Sequence, residues 1–209
     1  MKNLKNILTI LLFTVLCACN SDDDNNPNDN NNYFKFEFLK VGNKWEYEIS
    51  YYDTDGNSVD GKIIDDDFNP YETYEITAMK KHNNCYWEEC VWENQFVVND
   101  DNNIGFFENA NSITLRPDIC ANASVIFKNY YKGQKWEIRE ITSINETVTV
   151  PAGKFHNCIK IVSKFYGETN IEYISPKYGM IMCTGTLYYT ENDVGKIGKS
   201  VRQLKSKNF

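Results

Sequence analysis

The chain has 209 residues, of which 42% are hydrophobic, 14% aromatic and 24% charged, and its formal net charge is -7. This length fits one domain or two small ones, and the composition excludes a disordered or fibrous chain, so we expect one globular domain. The acidic balance argues against nucleic acid as a partner, because that affinity depends on a basic surface that neutralises phosphates.

The first element in chain order is a signal peptide at residues 1–18. Two lysines precede an apolar run at 7–16, and the small residue Ala18 stands before Cys19. This order of charge, apolar run and small residue is typical of a signal peptide that is removed. The run spans only about 15 Å, half of a hydrocarbon core of roughly 30 Å, so we do not expect a permanent transmembrane helix.

The residues Leu16, Cys17, Ala18 and Cys19 resemble the lipobox of bacterial lipoproteins. The resemblance implies cleavage after Ala18, a diacylglycerol thioether on Cys19 and an acyl group on its amine. Several acyl chains hold a protein durably on a membrane, since each buried methylene contributes about 0.8 kcal/mol. The alternative is an ordinary secretory signal with an incidental cysteine.

Residues 19–32 are expected to be a lipid-bearing Cys19 and a disordered tether. The 13 residues after Cys19 include seven Asn and four Asp and have no apolar side chain, so they cannot form a core. A flexible chain of this length spans roughly 20 Å. Part of the tether resembles the acidic export signal of Bacteroidetes-type surface lipoproteins, which implies an outer-membrane location facing outwards: Ser21, Asp22, Asp23 and Asp24. The alternative is a solvating acidic linker.

Residues 33–209 are expected to form a single β-rich domain. In the segment 44–52 the residues Trp45, Tyr47 and Ile49 share one face and the polar residues between them share the other, which predicts a half-buried strand. Similar patterns predict strands at 58–64, 71–81, 90–99, 104–108, 135–141, 144–150, 154–164, 169–175, 179–189 and 200–205.

Turn residues separate these predicted strands, and helix signals are scarce. The turns are predicted at 54–57, 99–103, 151–153, 166–169 and 175–179. Short consecutive connections favour antiparallel pairing. We therefore expect an all-β fold, an antiparallel meander curled into an open barrel or a two-layer sandwich.

Two stretches resemble each other, VGNKWEYEIS at 41–50 and KGQKWEIREI at 132–141. One interpretation is an internal duplication. The other is a shared local signal, in which a flexible glycine leads into a strand whose first inward residue is a large Trp.

Three segments together resemble a poorly characterised family of β-rich exported bacterial lipoproteins. They are VGNKWEY, TVTVPAGKFHNCIKI and YISPKYGMI, within residues 39–182. The resemblance implies that the PAG segment is a tight turn and that the later Pro-x-x-Gly precedes a strand. It supports a β fold and an exported location and supplies no catalytic residues.

Five cysteines remain after processing, in a compartment where disulfides persist: Cys85, Cys90, Cys120, Cys158 and Cys183. Because the number is odd, at least one thiol stays free or pairs with another molecule. Cys85 and Cys90 are the best candidate pair, provided that the chain turns between them, because on a straight strand they are roughly 16 Å apart. A Cys120–Cys158 bridge over a longer loop was also considered.

Two segments of the sequence have residue spacings that partly match metal-binding motifs. His82, Cys85 and Cys90 have spacings compatible with zinc, but an oxidising compartment favours a disulfide. Asp53, Asp55 and Asn57 match the first ligands of a calcium loop, but the glycine and the final glutamate of such a loop are missing. We expect a hairpin turn there and no metal or cofactor.

The last 14 residues carry five cations and no acid, which we interpret as a charged edge strand or terminus. The chain has no recognisable nucleophile elbow, phosphate loop or zinc-protease motif, so we expect no catalytic residues and no enzyme. The expected function is a binding module for a glycan, a lipid or another small ligand. The alternative is a structural or assembly lipoprotein that binds another envelope protein, and a hydrolase ranks last. Each individual Trp is expected to belong to the core rather than to a binding site.

Overall fold

The computed structural model describes residues 36–86, 89–99, 101–108, 112–116, 124–192 and 194–209, except for the side chains at 82–94, 101–105, 107, 112–116 and 124–127. Within these ranges the only helical segment is a 3-10 turn at Gly61–Ile63, so the all-β expectation is confirmed. The strands are β1 (Lys44–Asp53), β2 (Ser58–Val59), β3 (Tyr71–Tyr86), β4 (Glu89–Val98), β5 (Asp101–Glu108), β6 (Ser112–Arg116), β7 (Ser124–Phe127), β8 (Lys135–Trp136), β9 (Arg139–Val150), β10 (Gly153–Phe165), β11 (Glu168–Ser175), β12 (Gly179–Glu191) and β13 (Val194–Lys207).

All thirteen strands join one antiparallel sheet. Its order is β7-β6-β5-β4-β3-β1-β13-β12-β11-β10-β9-β8, with β2 paired to β1. Two meanders, β3–β7 and β8–β13, are therefore joined through β1, which pairs with β3 on one side and with β13 on the other. Among the described residues the end strands β7 and β8 do not pair with each other, so the sheet is open.

Strand β3 belongs to both parts of the sheet. Its first residues pair with β1, and from Ile76 onwards it pairs with β4, with an irregularity between Ile76 and Ala78. Such irregularities bend a strand and increase its twist. The ring of Phe106 on β5 lies 5.4 Å from that of Phe38 and 6.0 Å from that of Trp45, so the β3–β7 meander folds over the start of β1. The open, curled sheet is layered at this point.

The core covers the face of the sheet that carries Trp45 and Tyr47, which we call the inner face. The Trp45 ring N–H donates to the carbonyl of Tyr178 at 2.7 Å, and the Tyr47 hydroxyl donates to that of Met180 at 2.9 Å. These bonds satisfy the polar atoms of two rings that are almost completely buried. Burial raises the pKa of the Tyr47 hydroxyl far above its ordinary value. Trp45 thus has the core role that was expected of it.

Several strands are longer than expected, such as β3, β5 and β13, and the largest differences are in three places. The predicted strand 58–64 is only a two-residue strand followed by the 3-10 turn, which Asp60 caps by accepting from the Lys62 N–H. The segments 135–141 and 144–150 are instead the short β8 and one long β9, because the chain turns at Glu137, whose φ is 49°. Strands β6 and β7 were not predicted.

The sheet has two distinct ends. We call one the hairpin end, because it carries the β1–β2, β8–β9, β10–β11 and β12–β13 turns. The other is the entry end, where the described chain begins and the Glu37 N–H donates to the Pro176 carbonyl in the β11–β12 turn. The 13 residues of β12 run from one end to the other, a distance of about 40 Å.

Candidate functional site

The face opposite to the core, the outer face, carries a row of small apolar side chains. Val162, Ile171, Thr184 and Val201 are successive register partners on β10, β11, β12 and β13. Adjacent strands are about 4.8 Å apart, so this row is about 14 Å long. Three of its members are half-buried and Thr184 is buried between them. The row gives the outer face a smooth, weakly polar centre.

At the hairpin end of the sheet lies a group of exposed apolar side chains, which we call the aromatic rim: Phe165, Tyr166, Tyr188 and Ile197. Tyr166 is 90% exposed, and its ring centroid is 4.3 Å from that of Phe165. Tyr188 and Ile197 are partners across β12 and β13, exposed to 59% and 53%. The rim is therefore not part of the hydrophobic core.

Local turn geometry places the rim at the tip of the β10–β11 hairpin. Tyr166 and Gly167 form a two-residue loop in which both have positive φ, 47° and 88°. Such loops match the twist of the flanking strands, but a tyrosine in this conformation is unusual. Glu168, opposite Phe165, hydrogen-bonds Tyr188, and the pKa of the Tyr188 hydroxyl is raised, chiefly by desolvation and then by this bond. Glu168 thus connects the two sides of the rim.

On one side of the rim lies a groove of about 410 Å³ between the β8–β9 hairpin and β10, which we call the edge groove. Its charged lining residues are Lys135, Glu137, Arg139, Glu140, Lys160 and Lys164. The Lys135 ammonium is 3.4 Å from the Glu140 carboxylate, and the Arg139 guanidinium is 3.3 Å from that of Glu137. The excess of positive charge contrasts with the acidic chain as a whole.

On the other side of the rim lies a groove of about 550 Å³ between β1 and β13, which we call the Tyr52 groove. Tyr52, Lys199 and Val201 line it, and the β1–β2 turn borders it. Gly198 allows the two strands to approach here, since a Cβ at this position would lie 2.3 Å from the Tyr52 carbonyl oxygen. The two grooves and the rim between them form the hairpin-end surface, our candidate functional site.

The β1–β2 turn has the structure expected from its sequence. The Asp53 carboxylate accepts from the backbone N–H groups of Asp55 at 2.9 Å and Asn57 at 2.8 Å, and from the Asn57 side-chain amide at 3.0 Å. These bonds, chiefly those from Asn57, lower the pKa of Asp53. The hairpin-turn interpretation is confirmed, because the carboxylate holds the turn.

The lipid-attachment and export residues Cys19, Ser21, Asp22, Asp23 and Asp24 lie outside the described residues. Their roles stay predictions. In the part of the chain that is described, no helix is long and apolar enough to cross a bilayer.

The backbone around the candidate disulfide turns as the prediction requires. Cys85 and Cys90 are directly opposite each other in the β3–β4 hairpin, and His82 is three residues earlier on β3. Their side chains lie outside the description, so the disulfide stays a prediction. Cys158, in contrast, is a free and buried thiol, so the Cys120–Cys158 bridge is wrong.

The last 14 residues were interpreted as a charged edge strand or terminus, and the edge-strand interpretation is wrong. Strand β13 lies inside the sheet, between β1 and β12. Two of its cations pair with acids on other strands: Arg202 bonds Glu72 at 2.9 Å and Lys205 bonds Glu46 at 2.9 Å. An interior strand tolerates these charges because they are neutralised by partners on neighbouring strands.

Sequence reasoning did not single out the residues of the hairpin-end surface. The Tyr-Gly dipeptide signalled the turn, but it did not show that the rings at its tip would stay exposed. A scan against models of known protein families and a search of curated proteins gave no match.

Proposed function

We propose that the protein is a non-catalytic binding module that engages a glycan, a lipid or another small ligand at its hairpin-end surface. One observation carries this proposal: an exposed aromatic rim lies between two grooves, while other aromatic side chains fill the core. Exposed rings stack on sugar rings and on apolar ligands at little cost, because they have few rotatable bonds to immobilise.

The direction of the strands favours display of this surface. We propose that a lipid on Cys19 holds the protein on the outer membrane, with Ser21 to Asp24 as the export signal. The described chain begins at the entry end, where Glu37 bonds Pro176, and the rim is at the other end of strands about 40 Å long. The rim therefore lies at the opposite end of the sheet from Phe36, the first described residue.

A glycan and lipid array with the full-length, detergent-solubilised protein tests the binding proposal. The triple variant F165A/Y166A/Y188A is expected to bind roughly a hundredfold more weakly, since buried aromatic contacts often contribute 1 kcal/mol or more each. Tyr131→Ala is the matched control, because Tyr131 is 63% exposed and lines neither groove. Equal binding by the triple variant and the control would place the site elsewhere.

Proteinase treatment of intact cells tests the proposed location. The wild-type protein is expected to be digested, and replacement of Asp22, Asp23 and Asp24 by Ala is expected to protect it without releasing it from the membrane. Cys19→Ala is expected to release it. If the triple-alanine variant is digested at the wild-type rate, Ser21 to Asp24 are not an export signal, although the proposed lipid anchor on Cys19 is unaffected.

The alternative, an assembly lipoprotein that binds another envelope protein, is favoured by one observation. Val194 and Ile197 near the β12–β13 turn are 59% and 53% exposed and add aliphatic surface beside Tyr188. Protein interfaces use such apolar patches. Crosslinking in intact outer membranes distinguishes the binding module from the assembly lipoprotein. If the wild type crosslinks to a single partner protein and the Ile197→Asp variant does not, the assembly function is favoured.

A further inference from the structure

We propose that the edge groove binds the anionic groups of an acidic saccharide, a carboxylate or a sulfate, whose sugar rings extend onto the aromatic rim. This inference rests on the proposed binding function and names the ligand class of the same surface.

The charges of the groove point to an anion. Four cations and two carboxylates line it, an excess of positive charge on a chain whose formal net charge is -7. A groove whose sign opposes that of the whole protein attracts anionic ligands locally.

Two of the four cations are free to meet a ligand. Lys135 and Arg139 are engaged by Glu140 and Glu137. For Lys160 and Lys164, no carboxylate of the described ranges lies within ion-pair distance. Lys160 instead places its ammonium 5.7 Å from the centre of the Tyr173 ring, a cation–π distance that orients it on the outer face.

The two lysines are spaced along one strand, with an apolar residue between them. Lys160, Val162 and Lys164 alternate on the outer face of β10, so the lysine Cα atoms are about 13 Å apart. A saccharide with repeated anionic groups along its chain can reach both ammonium groups while its less polar face covers Val162.

The groove ends near the aromatic rim, because Lys164 lines the groove and Tyr166 follows it by two residues at the tip of the same hairpin. The Lys164 N–H donates to the Ile138 carbonyl at 3.1 Å, which fixes the β8–β9 turn beside β10, and Phe165 and Tyr166 follow directly. Charged capture and ring stacking are thus adjacent. This combination fits an acidic saccharide better than the headgroup of a simple anionic phospholipid such as phosphatidylglycerol, which offers an anion and no sugar ring to stack.

Isothermal titration with the full-length protein in detergent tests the inference. The probes are an oligogalacturonate, a dextran sulfate and a neutral dextran of similar length, with anionic phospholipid vesicles as a fourth arm. We expect the wild type to bind the acidic saccharides at least tenfold more tightly than neutral dextran, with an affinity that falls as salt rises. The oligogalacturonate and sulfate arms show which anion is preferred.

The variant K160Q/K164Q is expected to lose about tenfold in affinity for the acidic saccharides, since exposed charge pairs contribute up to about 1 kcal/mol each. The matched control K40Q/K154Q removes two exposed lysines at the entry end and should bind like the wild type. Equal binding of neutral and acidic saccharides, an unaffected double variant, or a preference for the vesicles overturns the inference while the binding module stands. Absence of binding in every arm overturns both.

Discussion

Gly42 and Gly133 occupy the same kind of turn: each has a φ of 90° and donates its N–H at 2.7 Å to the carbonyl of a fully buried isoleucine. Gly42 bonds Ile76, and Gly133 bonds Ile141. Each isoleucine N–H donates in return, at 2.9 Å, to the carbonyl of the residue after the glycine. The two similar stretches of sequence therefore share a three-dimensional arrangement.

The likeness extends two residues further along each stretch. Lys44 pairs with Glu75 at 3.7 Å, and Lys135 pairs with Glu140 at 3.4 Å, at matching positions of the two strand pairs. Both stretches thus contain a glycine turn that leads into a strand with a Trp, as either interpretation of their similarity requires. An internal duplication stays a prediction. Two unrelated segments that both need a tight glycine turn before a strand would adopt the same geometry without a common origin.

The first prediction concerns these glycines. Gly42→Ala and Gly133→Ala are each expected to lower the free energy of unfolding by about 1–2 kcal/mol, because an L-residue is strained at positive φ. No heavy atom lies within 4 Å of either added Cβ, so backbone strain is the only cost. Urea unfolding measures both.

Gly195→Ala is the control for these variants, since its Cβ also has open space but its φ is not positive. It is expected to be neutral or mildly stabilising. Equal losses at all three positions would show that the turns have no special requirement for glycine.

The second prediction concerns the ion pair between Glu72 and Arg202. The Arg202 guanidinium lies 3.0 and 2.9 Å from the two carboxylate oxygens, and the Tyr74 hydroxyl donates to the same carboxylate at 2.9 Å. Only 18% of the Arg202 side chain is exposed. Glu72→Gln leaves this charge poorly paired, and we expect a loss of about 1–3 kcal/mol in urea unfolding.

Glu140→Gln provides a matched comparison, because its partner Lys135 is 71% exposed. Removing an exposed pair is expected to change stability by less than about 0.5 kcal/mol. If the Glu72 variant is as stable as the Glu140 variant, the ion pair between Glu72 on β3 and Arg202 on β13 does not contribute measurably to the free energy of unfolding.

The third prediction concerns the thiol of Cys158. Burial, and secondarily the charge of Glu146, raises its pKa from 9.0 to about 11. The reactive thiolate is therefore about a hundredfold scarcer at pH 8 than in the unfolded chain. Iodoacetamide labelling followed by peptide mass spectrometry is expected to leave Cys158 unmodified in the folded protein and to modify it in urea. Comparable labelling rates in both states would contradict its burial.

The fourth prediction concerns the pH dependence of the Glu46–Lys205 pair. Hydrogen bonds from Lys205 and Ser206 lower the pKa of Glu46 below 4.5, and the bond to Glu46 raises the pKa of Lys205 above 10.5. A carboxylate whose pKa is lowered on folding stabilises the protein above its unfolded-state pKa, and this stabilisation is lost as the pH falls through its folded-state pKa. A lysine whose pKa is raised on folding stabilises the protein below its unfolded-state pKa, and this stabilisation is lost as the pH rises through its folded-state pKa. The contribution is thus complete between pH 4.5 and 10.5.

Glu46→Gln tests this fourth prediction in thermal unfolding across pH. The variant is expected to be less stable than the wild type near neutrality and to approach it at both extremes. A constant difference from acid to alkaline pH would show that the carboxylate acts through packing rather than charge.

Local patterns predicted the local structure well. The alternation around Trp45 and Tyr47 identified an inward-facing strand, and the glycine and proline turns placed most hairpins. The turn at Glu137 was missed, because a residue at positive φ that is neither Gly nor Asn carries no turn signal.

Sheet order could not be read in the same way. That β13 lies between β1 and β12 depends on which long-range pairing buries the inner face best, and residue alternation is the same in an edge strand and an interior one. The central row of the outer face shares this difficulty. Ile171, Thr184 and Val201 become neighbours only through the register of three strands.

The seam between β1 and β13 has a consequence for how the molecule reaches its shape. Contacts across it, such as that from Lys205 to Glu46, join residues 159 positions apart. Pairings between residues so distant in sequence form slowly, because closing the long intervening loop costs conformational entropy before the new contacts stabilise the structure. Each meander can assemble from neighbouring hairpins, but the middle of the sheet closes last. Until β13 arrives, the β1 edge beside it is unprotected, and this is where misassembly between copies would begin.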